Sequence, residues 1–280
     1  MWTFREMKEK ARFSLLPDYT KCLLAVVIYN VMANLLNFIM PANSNIMAEP
    51  MTEAKFIEIQ NAISNNMELV ISIMAGIFLV SLLFSLFVMA PVSVGKKRFF
   101  NETARGEAKI KELFFAFSHG IKTYFNIVRV EFIKAIMIAI WVLPGMVIMA
   151  GWFYWVSTYS FNLPLASLAG TIIIMISMIL VLRKSLEYFF VDYILADEPD
   201  ISWKRAKQMS KEMTKGQKIS ILALQFSFIG WYILGLAFGG FGLIFILPYV
   251  EMTFSELYLY FKSKDSENMQ ENEQNERENA

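Results

Sequence analysis

Long apolar runs separated by short polar ones dominate the chain. Six stretches, 22–40, 69–95, 135–156, 165–182, 219–238 and 242–261, are apolar almost throughout, with Glu251 and Glu256 in the last as the exceptions. A helix needs about 20 mostly apolar residues to cross a hydrocarbon core of roughly 30 Å, and each run approaches or exceeds that length. The pattern predicts an all-α membrane protein with six transmembrane helices arranged as three hairpins. A basic amphipathic stretch precedes each hairpin, at 4–16, 109–128 and 201–215, and is expected to lie as an interfacial helix. In the second stretch Leu113, Phe114, Phe117, Ile121, Tyr124, Phe125 and Val128 recur at helical spacing. Lys111, Lys122 and Arg129 are the expected lipid contacts, their stems along the apolar face and their cations reaching phosphates.

Two boundaries admit alternatives. The stretch Ala42-Asn43-Ser44 has a small-x-small pattern, yet the first apolar run is longer than a signal-peptide core and follows a long segment of mixed charge. It is therefore read as a retained helix. From Ile219 to Val250 the chain is nearly continuously apolar, about 48 Å if helical throughout. Gly235, Gly239, Gly240 and Gly242 fall where a tight turn has to be, because glycine admits positive φ, and this divides the segment into two spans. One long tilted helix would instead give five spans and leave Lys262 and Lys264 on the outer face.

Charge supplies the orientation. Lys and Arg residues lie in 1–21 (Arg5, Lys8, Lys10, Arg12, Lys21), 96–134, 183–218 and after 260, and Lys55 is the one cation elsewhere. Cations are retained in short cytoplasmic loops, so both termini are expected inside a bacterial cytoplasmic membrane. On this reading 1–21 is a cytoplasmic amphipathic segment and 22–262 the transmembrane domain. Residues 263–280 are an acidic cytoplasmic tail expected to be disordered. A hydrophobic share of 56% and a mean hydropathy of +0.44 agree with the spans, since soluble domains hold about 45–50% apolar residues. The single cysteine, Cys22, and the single histidine, His119, exclude an internal disulfide and any metal site built from several thiolates or imidazoles.

Polar groups within the spans are the candidates for function. Glu251, Ser255 and Tyr258 share one helical face, and Pro248 just before them frees a carbonyl. Counting along its own helix puts Glu251 near mid-membrane. There a carboxylate is either a proton- or cation-binding group facing a cavity or an acid paired inside the bundle. Asn30, Asn34 and Asn37 form an amide stripe at i, i+4 and i+7, with Gln225 as a plausible partner, read either as helix-packing glue or as a solute path. Small-residue pairs (Ser72/Gly76, Ser81/Ser85, Gly235/Gly239) suggest close packing, Pro144-Gly145 a kink or unwound turn, and Trp152, Tyr154, Trp155 and Tyr159 an interfacial aromatic belt. Asp200 or Ser202 is expected to cap the following helix, and the acidic block Asp192, Asp197, Glu198 and Asp200 to pair with Lys204, Arg205 and Lys207. No Walker lysine motif, nucleophile elbow, HExxH or dinucleotide fingerprint occurs. Neither catalysis nor a metal or other cofactor is expected. The expected partner is the bilayer, with anionic phospholipids on the cytoplasmic side, and not nucleic acid.

Several ordered blocks carry a resemblance. YFFVDYILADEPDISWKRAKQMSKEMTKGQK, then FSFIGWYILG, then LPY, are similar to the bacterial integral membrane family labelled domain of unknown function 975. The similarity extends from Tyr188 to about Tyr258. The lysine-rich opening, the stretch ELFFAFSHGIKTYF and the Pro-Gly pair of the third span fit as well. The chain departs from the pattern after the Pro-Tyr, where Glu251 and Glu256 stand in place of small or polar residues. The resemblance implies a multi-pass inner-membrane protein with no assigned chemistry and supplies no catalytic residue. Two functions stay open. A small transporter of an ion, solute or lipid component is favoured by the glycine breaks and the acid at depth. A non-transporting scaffold or regulatory subunit is favoured by the lack of a charged path through several helices.

Overall fold

The computed structural model describes residues 2–36, 61, 64–159 and 163–278, and every regular element among them is helical. Helix α1 (Phe4–Leu15) starts where Thr3 Oγ1 accepts the Glu6 amide, and it buries Met7, Ala11 and Leu15 along one stripe. A 3₁₀ turn over Leu16–Asp18, set by Pro17, leads into α2 (Tyr19–Ala33). Helices α3 (Met67–Phe84) and α4 (Ala90–Ala104) are one rod with a π-helical turn at Ser85–Met89 between them. A 3₁₀ turn (Ile110–Phe114) and the single-turn α5 (Phe115–Ser118) precede α6 (Ile121–Tyr159). Then follow α7 (Leu163–Glu187), α8 (Val191–Asp197) and α9 (Trp203–Thr214), the last capped by Ser202. Helices α10 (Lys218–Phe226), α11 (Ile229–Ala237) and α12 (Phe241–Glu278) complete the chain.

Six helical rods are long and apolar enough to cross a membrane: 4–33, 67–104, 121–158, 168–197, 218–237 and 241–267. The molecule is therefore all-helical and of the membrane class, as the hydrophobic pattern predicts. The rods differ from the expected ones in detail. The 109–128 stretch is not one amphipathic helix: Gly120, at φ +101°, divides it, and Ile121 begins the long rod α6. Gly216, at φ +73°, makes the same kind of turn two residues before α10, so Gly120-Ile121-Lys122 and Gly216-Gln217-Lys218 both enter a helix through a positive-φ glycine. Helix α6 continues through Pro144 without an unwound turn. Helix α12 continues to Glu278 in place of the disordered tail expected from 263. That segment is acidic but lacks Pro and Gly, and its five Glu and two Gln offset four Asn, so a rod already nucleated by packing propagates through it.

Burial is uneven along the rods. No residue of α3 is buried, and almost none of the apolar parts of α6 and α7 is. The buried core is drawn instead from α1, the start of α2, α4, the first turns of α6, the end of α7, and α8, α9, α10 and α12. Phe190, Tyr193, Tyr258 and Phe261 stack on one another at its centre. The rods thus rise as apolar arms from a packed polar-ended body, and the apolar stretches of α3, α6 and α7 expose mainly hydrocarbon. Lipid is the solvent that suits them.

Close backbone approach fixes two of the arms. Gly145 of α6 sits against Ser177 of α7, and Gly170 of α7 lies under the Trp152 ring, so Trp152 of the expected aromatic belt packs between helices. Gly239 and Gly240, at φ +66° and +84°, turn α11 into α12, and a Cβ on Gly242 would stand 2.8 Å from Gly235 Cα. Gly242→Ala is therefore expected to force the two helices apart and to cost about 1–3 kcal/mol. A detergent-melting measurement checks this, with Gly230→Ala, whose Cβ would meet nothing within 4 Å, as the unaffected control.

Candidate functional site

The polar end of the body is built on α4. Its residues Val92, Lys96, Phe99 and Thr103 follow i, i+4, i+7 and i+11 and are all buried, so two turns of this helix place a lysine among apolar neighbours. Lys97 stands beside it. Between them lies Glu251 of α12, with Lys96 Nζ 2.6 Å from Oε1 and Lys97 Nζ 2.6 Å from Oε2. Lys97 also donates to Tyr193 Oη at 3.1 Å, and Lys96 sits 3.8 Å from the centre of the Tyr29 ring. Both carboxylate oxygens are thereby taken, and both ammonium groups have aromatic faces as further partners.

One layer further along α4 is a second hub, on Asp197. Its Oδ2 accepts from Arg105 at 2.7 Å, Lys262 at 2.6 Å and Tyr258 Oη at 3.1 Å, while Asn101 Nδ2 donates to Oδ1 at 3.2 Å. Asn101 Oδ1 in turn accepts from Ser255 at 2.8 Å. The hydrogen bonds that Arg105 donates to Asp197 hold its guanidinium above its ordinary range. Around these hubs, Lys134 bridges Glu131 and Asp192, Glu187 takes Lys218 at 2.7 Å and Lys184 at 3.2 Å, and Arg98 pairs with Glu112 at 2.8 Å. Apart from the local pairs Glu131–Lys134 and Lys184–Glu187, these bridges join different helical segments, so the layer ties the bases of the arms together.

The sequence-derived candidates divide accordingly. Glu251, Ser255 and Tyr258 do come together on one face of α12, and each is engaged by a group from α4 or α8. Glu251 lies beside Lys96 and Lys97, ten residues after α12 leaves the glycine turn. Asn30 Nδ2 and Asn34 Nδ2 donate, each at 2.8 Å, to the carbonyls one turn back, of Val26 and Asn30. Asn37 lies outside the described residues. Gln225, in α10, belongs to a helix that packs on α7, while α2 packs on α12 and α4; the structure does not unite it with the stripe. Lys111, Lys122 and Arg129 are exposed, Lys111 on the 3₁₀ turn and the other two on the first turns of α6.

The acidic block pairs differently from the expectation. Asp192 reaches Lys134, Asp197 reaches Arg105 and Lys262, and Asp200 accepts from Thr123 at 3.1 Å. None of the described ion pairs joins it to Lys204, Arg205 or Lys207, because α8 packs between α4 and α9 and its acids meet α6, the end of α4 and α12 instead. Ser202 does cap α9. Lys96, Lys97, Asn101, Arg105, Tyr193 and Asp197 escape a reading by residue type. The buried stripe on α4 was the available signal, since a lysine at a core position demands a counter-charge.

Six long apolar rods on an ion-paired base define a polytopic membrane protein. The chain belongs to the family described as Protein of unknown function (DUF975), whose model matches residues 1–265. No curated protein and no solved structure matches it.

Proposed function

We propose that the protein is a non-transporting, non-enzymatic scaffold or regulatory subunit of the bacterial cytoplasmic membrane. The observation that carries this reading is the state of Glu251. A carboxylate that binds and releases a travelling proton or cation needs a free oxygen and a wet approach, and this one is only 15% exposed, with each oxygen held by a lysine at 2.6 Å. Such an arrangement fixes helices.

In this reading the rods form three hairpins, both termini are cytoplasmic, and the charged layer lies on the cytoplasmic side. The distribution of Lys and Arg supports that orientation. Helices α1 and α9, each with a basic exposed face, are the interfacial elements and rest on anionic headgroups together with Lys111, Lys122 and Arg129. A partner protein, and not nucleic acid, meets the same basic surface.

Purified protein in liposomes carrying an internal pH dye and a potassium diffusion potential tests the claim. Proton and cation flux is expected at the rate of protein-free liposomes. Flux above that baseline overturns the scaffold reading and restores the transporter.

A further inference from the structure

We propose that an apolar groove between α7 and α10 is a binding site for one anionic phospholipid, with its phosphate between Arg183 and Lys218. The groove has a volume of about 440 Å³ and apolar walls of Ile179, Leu182, Ile219 and Leu222, with the two cations at one end. That volume falls within the range of roughly 300–1,000 Å³ typical of small-molecule sites. A second, more apolar groove of about 580 Å³ runs between α6 and α7 past Val142, Met146 and Met178, and Leu182 lines both. The two grooves therefore flank α7 at the level of Leu182, with Arg183 and Lys218 lining the first. This is the shape of a diacyl lipid straddling α7, one chain on each side and one headgroup at the end of the apolar run.

Charge at the mouth selects the headgroup. Glu187 is shared by Lys184 and Lys218, so one positive charge there is left over. Arg183 is exposed and forms no ion pair among the described residues. The excess of two cations suits a phosphate diester without a compensating amine and disfavours a zwitterion. Arg183 and Lys218 each mark the boundary where an apolar run meets polar chain, which is the depth of a lipid phosphate. The site is separate from Lys111, Lys122 and Arg129. It rests on the membrane placement proposed above and is independent of whether the protein transports anything.

The test is a titration of the full-length protein in neutral detergent with phosphatidylglycerol, phosphatidylcholine or inorganic phosphate. Bound lipid is read by native mass spectrometry. One phosphatidylglycerol per chain is expected to be retained, with phosphatidylcholine at least about fivefold weaker and phosphate not retained. Arg183→Gln should weaken phosphatidylglycerol about fivefold, the effect of roughly 1 kcal/mol per cation near a phosphate. Leu222→Trp, which fills the groove without touching charge, should also displace it, while Lys204→Gln, an equal loss of charge elsewhere, should not. Equal retention of the two lipids, or undiminished retention in both Arg183→Gln and Leu222→Trp, overturns the site. So does a second copy of the chain that occupies the groove and excludes lipid. Because Lys218 also pairs with Glu187, Arg183→Gln and Leu222→Trp carry the test even where Lys218→Gln fails to fold. Liposome flux with an intact lipid site would sink only the scaffold reading.

Discussion

Replacing Glu251 by Gln should destabilise the folded protein by about 3–5 kcal/mol. The substitution keeps nearly the same volume but leaves the buried Lys96 and the half-buried Lys97 adjacent and without their shared carboxylate. Removing one partner of a buried ion pair costs in that range because the remaining charge is stranded away from water. Here two charges are stranded and they repel each other. Reversible unfolding in mixed micelles measures the loss. The second half of the experiment distinguishes charge from packing: Glu251→Gln combined with Lys96→Met and Lys97→Met should recover most of the stability, since an apolar replacement for the whole group leaves nothing unpaired. If Glu251→Gln is as stable as the wild type, the carboxylate is not structural and the argument against a travelling ion loses its support.

The second large effect is expected at Gly95. A Cβ there would lie 2.0 Å from the Leu113 carbonyl oxygen and 2.7 Å from its carbon. That neighbour is backbone, which cannot rotate away as a side-chain tip can. Gly95→Ala must push the 3₁₀ turn Ile110–Phe114 off α4, and with it the Arg98–Glu112 bridge and the Arg98 contact with the Phe115 ring. Overpacking of this kind costs about 1–3 kcal/mol and occasionally more, and the backbone clash puts Gly95 at the upper end. Gly76→Ala is the matched control on the same rod. It meets nothing within 4 Å and gains the better helix former, so its stability should hold or rise slightly. Equal melting of the two variants would mean that α4 does not pack against the turn as described.

The hydrophobic rods and their approximate ends are legible in the sequence because a membrane helix is a one-dimensional property: about 20 apolar residues suffice to declare it. The Gly239-Gly240 turn is legible for a similar reason, since an over-long apolar run and a glycine cluster coincide there. Local interruptions are harder. The 109–128 stretch has an unbroken amphipathic period, yet Gly120 at positive φ ends one element and begins another. Pro144 behaves in the opposite way, as α6 runs through it. A proline within an apolar rod loses one hydrogen bond, and neighbouring packing, here Gly145 against Ser177, can hold the helix together.

The charged layer is illegible by its nature. Lys96 and Glu251 are 155 residues apart, and Lys262 and Asp197 are 65 apart, so no spacing rule connects them. Read one by one, Lys96-Lys97-Arg98 are cations that set orientation, and Asp192, Asp197 and Asp200 are acids beside a basic helix. Only the packing of α4 between α8 and α12 turns them into partners. The same packing gives Glu251 two lysine partners that no reading along its own helix supplies.

The account stands on one geometric claim, that the ion-paired ends of all the arms lie together on the cytoplasmic face. Single cysteines introduced in a Cys22→Ala background at Lys111, Lys204 and Lys264, all exposed, and at Lys55, can be probed in intact cells with a membrane-impermeant maleimide. Labelling at 55 in intact cells, and at 111, 204 and 264 only after permeabilisation, is the predicted result. Labelling of 111, 204 or 264 from outside would contradict it.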